Sequence, residues 1–201
     1  MDTATEELRD FYNYMWGKDE TVPDPTFVYL PVEHEGKWTP YMFAWPRQRE
    51  GVIRHTLKWS AIKANVFYSP ALFKAANPAK ENVLGSHVLW VDFDGNAPKE
   101  WPEEAPDGQI WVPPPTLIVQ SSIEKHEHCY WKLDKFIDNI EVLEDRNRAI
   151  AYVMHADTSG WDADQILRPI RTTNHKRNMP VIIKNWDRED EEDYATDKKI
   201  I

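Results

Sequence analysis

One segment constrains this chain more than any other: Val88-Leu89-Trp90-Val91-Asp92-Phe93-Asp94-Gly95. An apolar run of this length predicts a buried strand, and His87 to Phe93 is the strongest strand in the sequence. The run ends in two aspartates separated by one residue, with a glycine behind them. Side chains alternate along a strand, so Asp92 and Asp94 project from the same side, about 6–7 Å apart along it. Two carboxylates that close repel each other unless a cation sits between them. Ligation by oxygen alone suits Mg2+ or Mn2+, ions that usually complete their shells with phosphate oxygens. The expectation is a metal–phosphate site at a strand end; the plainer alternative is a capped turn.

The rest of the composition bounds the fold around that strand. With 201 residues and 41% hydrophobic content, the chain can bury a core in one large domain or two small lobes. Fifteen prolines argue for many loops rather than long helices. The single cysteine, Cys129, excludes a disulfide framework and any cysteine-based zinc site. No run of about 18 apolar residues exists, so no membrane span is expected. The acidic start, Met1 to Glu7, leads into no apolar signal segment, which points to a cytoplasmic protein. A net charge of −10 opposes a general coating of nucleic acid, which needs Lys and Arg on phosphates. Seven acidic residues between Asp187 and Asp197 account for much of it, so any nucleic-acid contact must come from a local basic groove.

Periodicity sets the organisation. Thr5 to Trp16 predicts a helix, with Leu8, Phe11, Tyr12 and Met15 on one face and Thr3 or Thr5 as cap. Phe27 to Pro31 and Lys37 to Trp45 predict a hairpin around Glu35-Gly36. Arg47 to Lys63 predicts a helix, Asn65 to Tyr68 a short strand, and Pro70 to Lys80 a turn or two of helix. Ala97 to Pro115 is a loop whose one ordered candidate is 109–112. Thr116 to Ser121 and His128 to Leu133 are further strands. Asp134 is expected to cap a helix reaching Met154, Asp162 to Leu167 to form a short helix, and Val181 to Trp186 a final strand. Strands and helices in no strict alternation make an α+β fold with mainly antiparallel pairing. The charged segment 187–201 reads as an acidic linker or tail.

Two further clusters carry chemistry. In the strand from His126, the side chains of His126, His128, Tyr130 and Lys132 share a face, while Cys129, Trp131 and Leu133 form the core side. Histidine and lysine beside a metal–phosphate site would bind triphosphate oxygens. The segment 154–177 supplies a third carboxylate, Asp157, with Asp162 and Asp164 as alternatives. It then gives the most basic stretch of an acidic chain: Arg168, Arg171, Lys176 and Arg177, with Asn174 among them. Trp16, Trp59 and Trp90 read as core, whereas Trp111 and Trp161 are the candidates for functional stacking.

In order and spacing, these clusters resemble the archaeo-eukaryotic primase superfamily, in its RepB-like and phage or plasmid primase-polymerase branch. The resemblance rests on Asp92 and Asp94, on Ser122 with His128 and Trp131, on Asp157, and on Arg168 to Lys176. It covers about residues 65–180, with Pro169-Ile170 standing where the branch has proline-glycine. It implies a catalytic core with a mainly antiparallel, RRM-like sheet packed by helices, spanning 1–186 as an N-terminal lobe to about 85 and a catalytic lobe beyond. It implies nucleotidyl transfer with Mg2+ or Mn2+ held by Asp92, Asp94 and Asp157. Lys125, His128, Arg168, Asn174 and Lys176 would bind the nucleotide. The implied partners are single-stranded DNA template, nucleoside triphosphates and a helicase domain or subunit, in a bacterial or phage-infected cell.

Three other readings compete. His126-Glu127-His128 has the spacing of a replication-initiator endonuclease with a His-x-His metal pair, for which Tyr152 would be the nucleophile and Glu127 the wrong residue in the middle. Asp-x-Asp-Gly also occurs in phosphatases of the haloacid dehalogenase type, but there it opens the domain. A nucleic-acid-binding relic without activity would have little reason to keep a costly acidic cluster.

Overall fold

The computed structural model describes residues 2–18, 22–101 and 112–188. The expected run at 109–112 falls mostly outside these residues, as do Trp111 and all but the first two residues of the acidic tail. The elements are α1 (Thr3–Trp16), β1 (Phe27–Tyr29), β2 (Val32–His34), β3 (Lys37–Thr39), β4 (Met42–Ala44), α2 (Arg49–Ala61), β5 (Asn65–Val66), β6 (Leu72–Phe73), β7 (Val83–Asp94), β8 (Leu117–Gln120), β9 (His126–Ile137), α3 (Ile140–Val153), β10 (Thr173–Asn174), β11 (Met179–Pro180) and β12 (Ile182–Trp186). This is the expected α+β architecture.

A seven-stranded sheet in the order β12-β8-β9-β7-β6-β1-β4 dominates, with every pairing antiparallel. Strands from both halves of the chain therefore share one sheet. A three-stranded sheet, β3-β2-β5, and the two-stranded β10-β11 complete the molecule. The two long strands, β7 and β9, are its axis. Where β7 starts and β9 ends, Gly85 sits at φ 145, where a Cβ would fall 2.0 Å from the Ile137 carbonyl oxygen. Only glycine lets the two backbones approach that closely.

α1 forms as its apolar spacing predicts: Leu8, Phe11, Tyr12 and Met15 are all buried. Asp2, not a threonine, takes the N-cap. The expected hairpin around Glu35-Gly36 is present as β2-β3, with both turn residues at positive φ. Its flanks β1 and β4 instead pair with each other in the large sheet. Residues 70–80 hold the short strand β6 rather than a helix, because Leu72 and Phe73 pair with the start of β7. Asp162 to Leu167 forms turns and not a helix. β9 runs on to Ile137, so Asp134 lies within a strand. The helix begins later, where the Asn139 side chain accepts from the Val142 N–H at 3.2 Å.

Two histidines are locked into the core as neutral rings. His55 packs on Tyr41 at 4.5 Å between centroids, and His87 on Phe136 at 4.8 Å. Burial pulls both down from 6.5 to about 4, with Lys58 and Lys132 respectively adding to the effect and a backbone bond with Leu30 opposing it for His55. A folded pKa below the unfolded one means stability that is complete above pH 6.5 and drains as the pH falls towards 4, by about 3 kcal/mol per group. Replacing His87 by Phe removes one such group. Between pH 7 and 4.5 its unfolding free energy, measured by urea titration, should gain about 2–3 kcal/mol on wild type. A margin that stays constant across that range would sink the assignment.

Candidate active site

β7 and β9 pair so that Asp92 stands opposite His128 and Asp94 opposite His126. Opposed residues share a sheet face, so two carboxylates and two imidazoles gather at one end of the ladder. Asp94 Oδ1 lies 2.7 Å from His126 Nδ1. Asp92 Oδ1 lies 3.7 Å from His128 Nε2, beyond direct hydrogen-bonding distance.

Among the described residues the other edge of β7 has no strand beside it at this level, and the chain after β9 fills the gap. Asn147 of α3 accepts from the Trp90 N–H at 3.1 Å. The Asp157 N–H donates to the Asp92 carbonyl at 2.8 Å, and the Trp90 indole donates to the Gly160 carbonyl at 3.1 Å. These bonds draw Asp157 alongside Asp92. The Asp157 carboxylate accepts from the Ser159 N–H and hydroxyl, each at 2.8 Å. Of the alternatives for the third carboxylate, Asp162 is drawn to Lys80 at 3.4 Å, and Asp164 is exposed.

Asp92 is the group under strain. Its side chain is 26% exposed. Burial first, then the charges of Asp157 and Asp94, push its carboxyl from 3.8 to about 7 against the pull of Arg168. Among the described residues no three acidic, histidine or cysteine side chains converge on one point as they stand, for Asp94 is turned to His126 and Asp157 to Ser159. The donor chemistry nevertheless fits a hard divalent cation: three carboxylate side chains, with the charges of Asp157 and Asp94 both acting against ionisation of Asp92.

The charge of Arg168 also reaches this acid. The Tyr68 and Leu167 backbones bond to each other at 2.9 and 2.8 Å, which fixes the residue that follows. Its guanidinium lies 4.4 Å from the centre of the Phe67 ring and donates to Asn65 Oδ1 at 3.3 Å. Asn65 in turn donates to Glu33 Oε2 at 2.6 Å and accepts from the His175 N–H at 3.3 Å. None of Glu33, Asn65, Phe67 or His175 was singled out from the sequence as a site residue. Strand alternation puts Asn65 and Phe67 on one side, but nothing in the sequence says that Arg168 docks there.

The remaining sequence candidates divide. His128 is buried, and burial with the Arg168 charge behind it pulls its pKa down to about 3. The ring is therefore neutral and adds no positive charge of its own; among the described residues its Nδ1 has no hydrogen-bond partner. Asn174 donates to the Ser121 carbonyl at 3.2 Å and leaves its buried Oδ1 without a partner. Lys125 ties down the loop after Asp94, its carbonyl accepting from the Gly95 and Ala97 N–H groups at 3.1 and 3.2 Å. Lys176 is exposed in the β10-β11 turn, and Ser122 is buried. Trp131 is core, donating to the Pro113 carbonyl at 2.8 Å. Tyr130 and Lys132 do not face water as their polarity suggested. Tyr130 is buried and accepts from Tyr68 at 2.7 Å; Lys132 lies over the Tyr14 ring of α1 at 5.0 Å. Glu127, between the two histidines, is buried against Lys184 at 2.5 Å. Tyr152 is an exposed residue of α3, and Trp161 stacks under Arg148.

No family model matches the sequence, and no curated protein matches it. Solved structures match the fold. The AEP domain of the cyanophage S-2L primase-polymerase superposes with a TM-score of 0.61 at 11% identity, covering 90% of this chain and 89% of that one. The catalytic domain of primase RepB', crystallised with initiator DNA, gives 0.59 at 16% identity over 92% and 86%. The fold is that of the archaeo-eukaryotic primase catalytic domain. A second primase RepB' structure gives 0.56 at 15% identity, with 91% of this chain matched to 57% of that one. At these identities the likeness is one of primase fold; the chemistry must be argued from the residues. No helix among the described residues is long and apolar enough to cross a membrane.

Proposed function

We propose that this domain is a primase-polymerase that extends or starts a strand on a single-stranded DNA template by nucleotidyl transfer. The observation that carries the reading is Asp92: a carboxyl raised by burial and by the charges of Asp157 and Asp94, and opposed by that of Arg168, at the end of the central strand of a primase fold. Nothing in the packing of a soluble domain requires that repulsion, and removing it by Asn or Ser would be easy.

Asp92, Asp94 and Asp157 would hold Mg2+ or Mn2+. When bound, such an ion neutralises triphosphate charge and lowers the pKa of the attacking 3′-hydroxyl. The reaction joins the 3′-oxygen to the α-phosphorus, its proton passing to water, as the bond to the bridging oxygen breaks and pyrophosphate leaves. Arg168 is fixed beforehand by Asn65 and Phe67, so it can meet charge growing on the phosphoryl oxygens without reorganising. Neutral His128 can donate one ring hydrogen to a phosphate oxygen without adding charge to Asp92. Lys125, Asn174 and Lys176 complete the proposed nucleotide contacts.

The test is incorporation of labelled nucleotides on single-stranded template with Mg2+ or Mn2+, comparing wild type with Asp92→Ala plus Asp94→Ala. Labelled oligomers from wild type alone are expected. Equal products from both proteins would remove the site.

A further inference from the structure

A second surface leads away from the acid. The small sheet β3-β2-β5 has an apolar side, where Val32 and Val66 are buried. Its other side carries Trp38, Glu33 and Asn65 in one cross-strand row, with Phe67 two residues beyond Asn65. Trp38 is 57% exposed and stacks on Phe67 at 5.1 Å between centroids, tilted by 28°. Arg168 lies over the same phenyl ring, 4.4 Å from its centre. The result is a layered row of indole, phenyl and guanidinium, running from a solvent-exposed edge strand to the acid-facing arginine. Trp38 stands on the outermost strand of that small sheet, where the part of its indole not packed on Phe67 is open to water.

Charge says what would lie on it. The β10-β11 turn follows directly from His175, whose N–H binds Asn65, and it exposes Lys176 and Arg177. These cations border the row in a protein of net charge −10. Glu33, the one acidic group in the row, has its carboxylate occupied by the Asn65 amide at 2.6 Å and the Gly36 N–H at 2.9 Å. A polyanion bearing planar aromatic groups satisfies both features: phosphates beside Lys176 and Arg177, a base on the indole.

We infer that Trp38, stacked through Phe67 on Arg168, is a platform for an unpaired nucleobase of a single-stranded DNA template approaching the carboxylate site. Taking the strand to be a template rests on the transferase reading; the stacking does not.

Binding of a fluorescein-labelled oligothymidylate, followed by anisotropy with chelator and without nucleotide, tests it. Trp38→Ala should weaken binding about ten- to hundredfold, the worth of one stacked base. Trp38→Phe should recover most of that. Affinity for a fluorescent nucleoside triphosphate should be unchanged in both, and so should the melting temperature of so exposed a site. Strand affinity that ignores the alanine overturns the platform. So does lost triphosphate affinity with strand affinity intact, which would give the indole to the incoming nucleotide. Incorporation is measured on the same preparations. Trp38-dependent strand binding without any incorporation keeps the platform and sinks the transferase. Asp92-dependent incorporation with strand binding indifferent to Trp38 does the reverse.

Discussion

Asp92→Asn should be a more stable protein and a dead one. In the folded chain without metal, the Asp92 carboxyl is raised from 3.8 to about 7 by burial and by Asp157 and Asp94. A raised acid gives stability that is complete below the unfolded value near 4 and is lost as the pH climbs through 7. At pH 8 the ionised group therefore costs the fold on the order of 3–4 kcal/mol, and the neutral amide removes that cost. Thermal or urea unfolding with chelator should favour Asp92→Asn by a few kcal/mol at pH 8 and by almost nothing at pH 4. Added Mg2+ or Mn2+ should narrow the gap by stabilising wild type alone, since an ion that binds only the folded state shifts the equilibrium towards it. Incorporation by the variant should fall at least about a thousandfold, the scale on which a preorganised charge in an active site contributes. A variant no more stable than wild type at pH 8, with chelator present, would show that the three carboxylates are not crowded as described.

That trade is the physical reason the site could be found in the sequence at all. Val88 to Gly95 reads as a strand because it is apolar, and as a site because the two acids at its end have no structural use. Asn174 and Lys176 stand in the basic stretch that charge alone picks out, but a nucleotide-contacting role for these two comes only through the family resemblance. What lay hidden was lateral placement. Asp157 comes beside Asp92 because β7 lacks an outer neighbour there, so Asn147 and the Asp157 N–H cap its bare edge; local periodicity carries no trace of that. Tyr130 and Lys132 alternate with core residues and so look solvent-facing, yet Tyr14 of α1 lies beneath the Lys132 ammonium and Tyr68 bonds to the Tyr130 hydroxyl, both from distant segments.

The fold was legible to the same depth. Long elements with strong periodicity, α1 and β7 among them, appear where expected. Boundaries failed where a polar residue has two uses. Asp134 is a good helix cap in isolation, but β9 continues through it because its partner β7 extends back to Val83, and Asn139 caps instead. Leu72 and Phe73 looked like part of a helical turn because a two-residue strand has no period to read. The Trp38–Phe67–Arg168 row draws on three distant segments, so no window of sequence contains it.

Arg168 is where these segments meet, and its replacement should separate charge from shape. Arg168→Ala removes the cation that opposes the rise of Asp92, uncovers Phe67 and deprives Asn65 of one of its three partners. Incorporation should drop about a hundred- to a thousandfold, as for loss of one fixed donor to a developing anion. Arg168→Lys restores the charge but neither the planar stack on Phe67 nor the fork that reaches Asn65 while facing the acid. It should recover no more than about a tenth of the wild-type rate. With chelator, its Asp92-linked loss of stability at high pH should resemble wild type, whereas in Arg168→Ala that loss should start at the same pH, near the unfolded value, but run on to higher pH and be larger, because Asp92 then titrates above its present value near 7. The two readouts share a cause only if guanidinium and carboxylate face each other across the site. Lysine at wild-type rate would show that Arg168 acts as a bare charge, and a pH profile unmoved in Arg168→Ala would show that it does not act on Asp92.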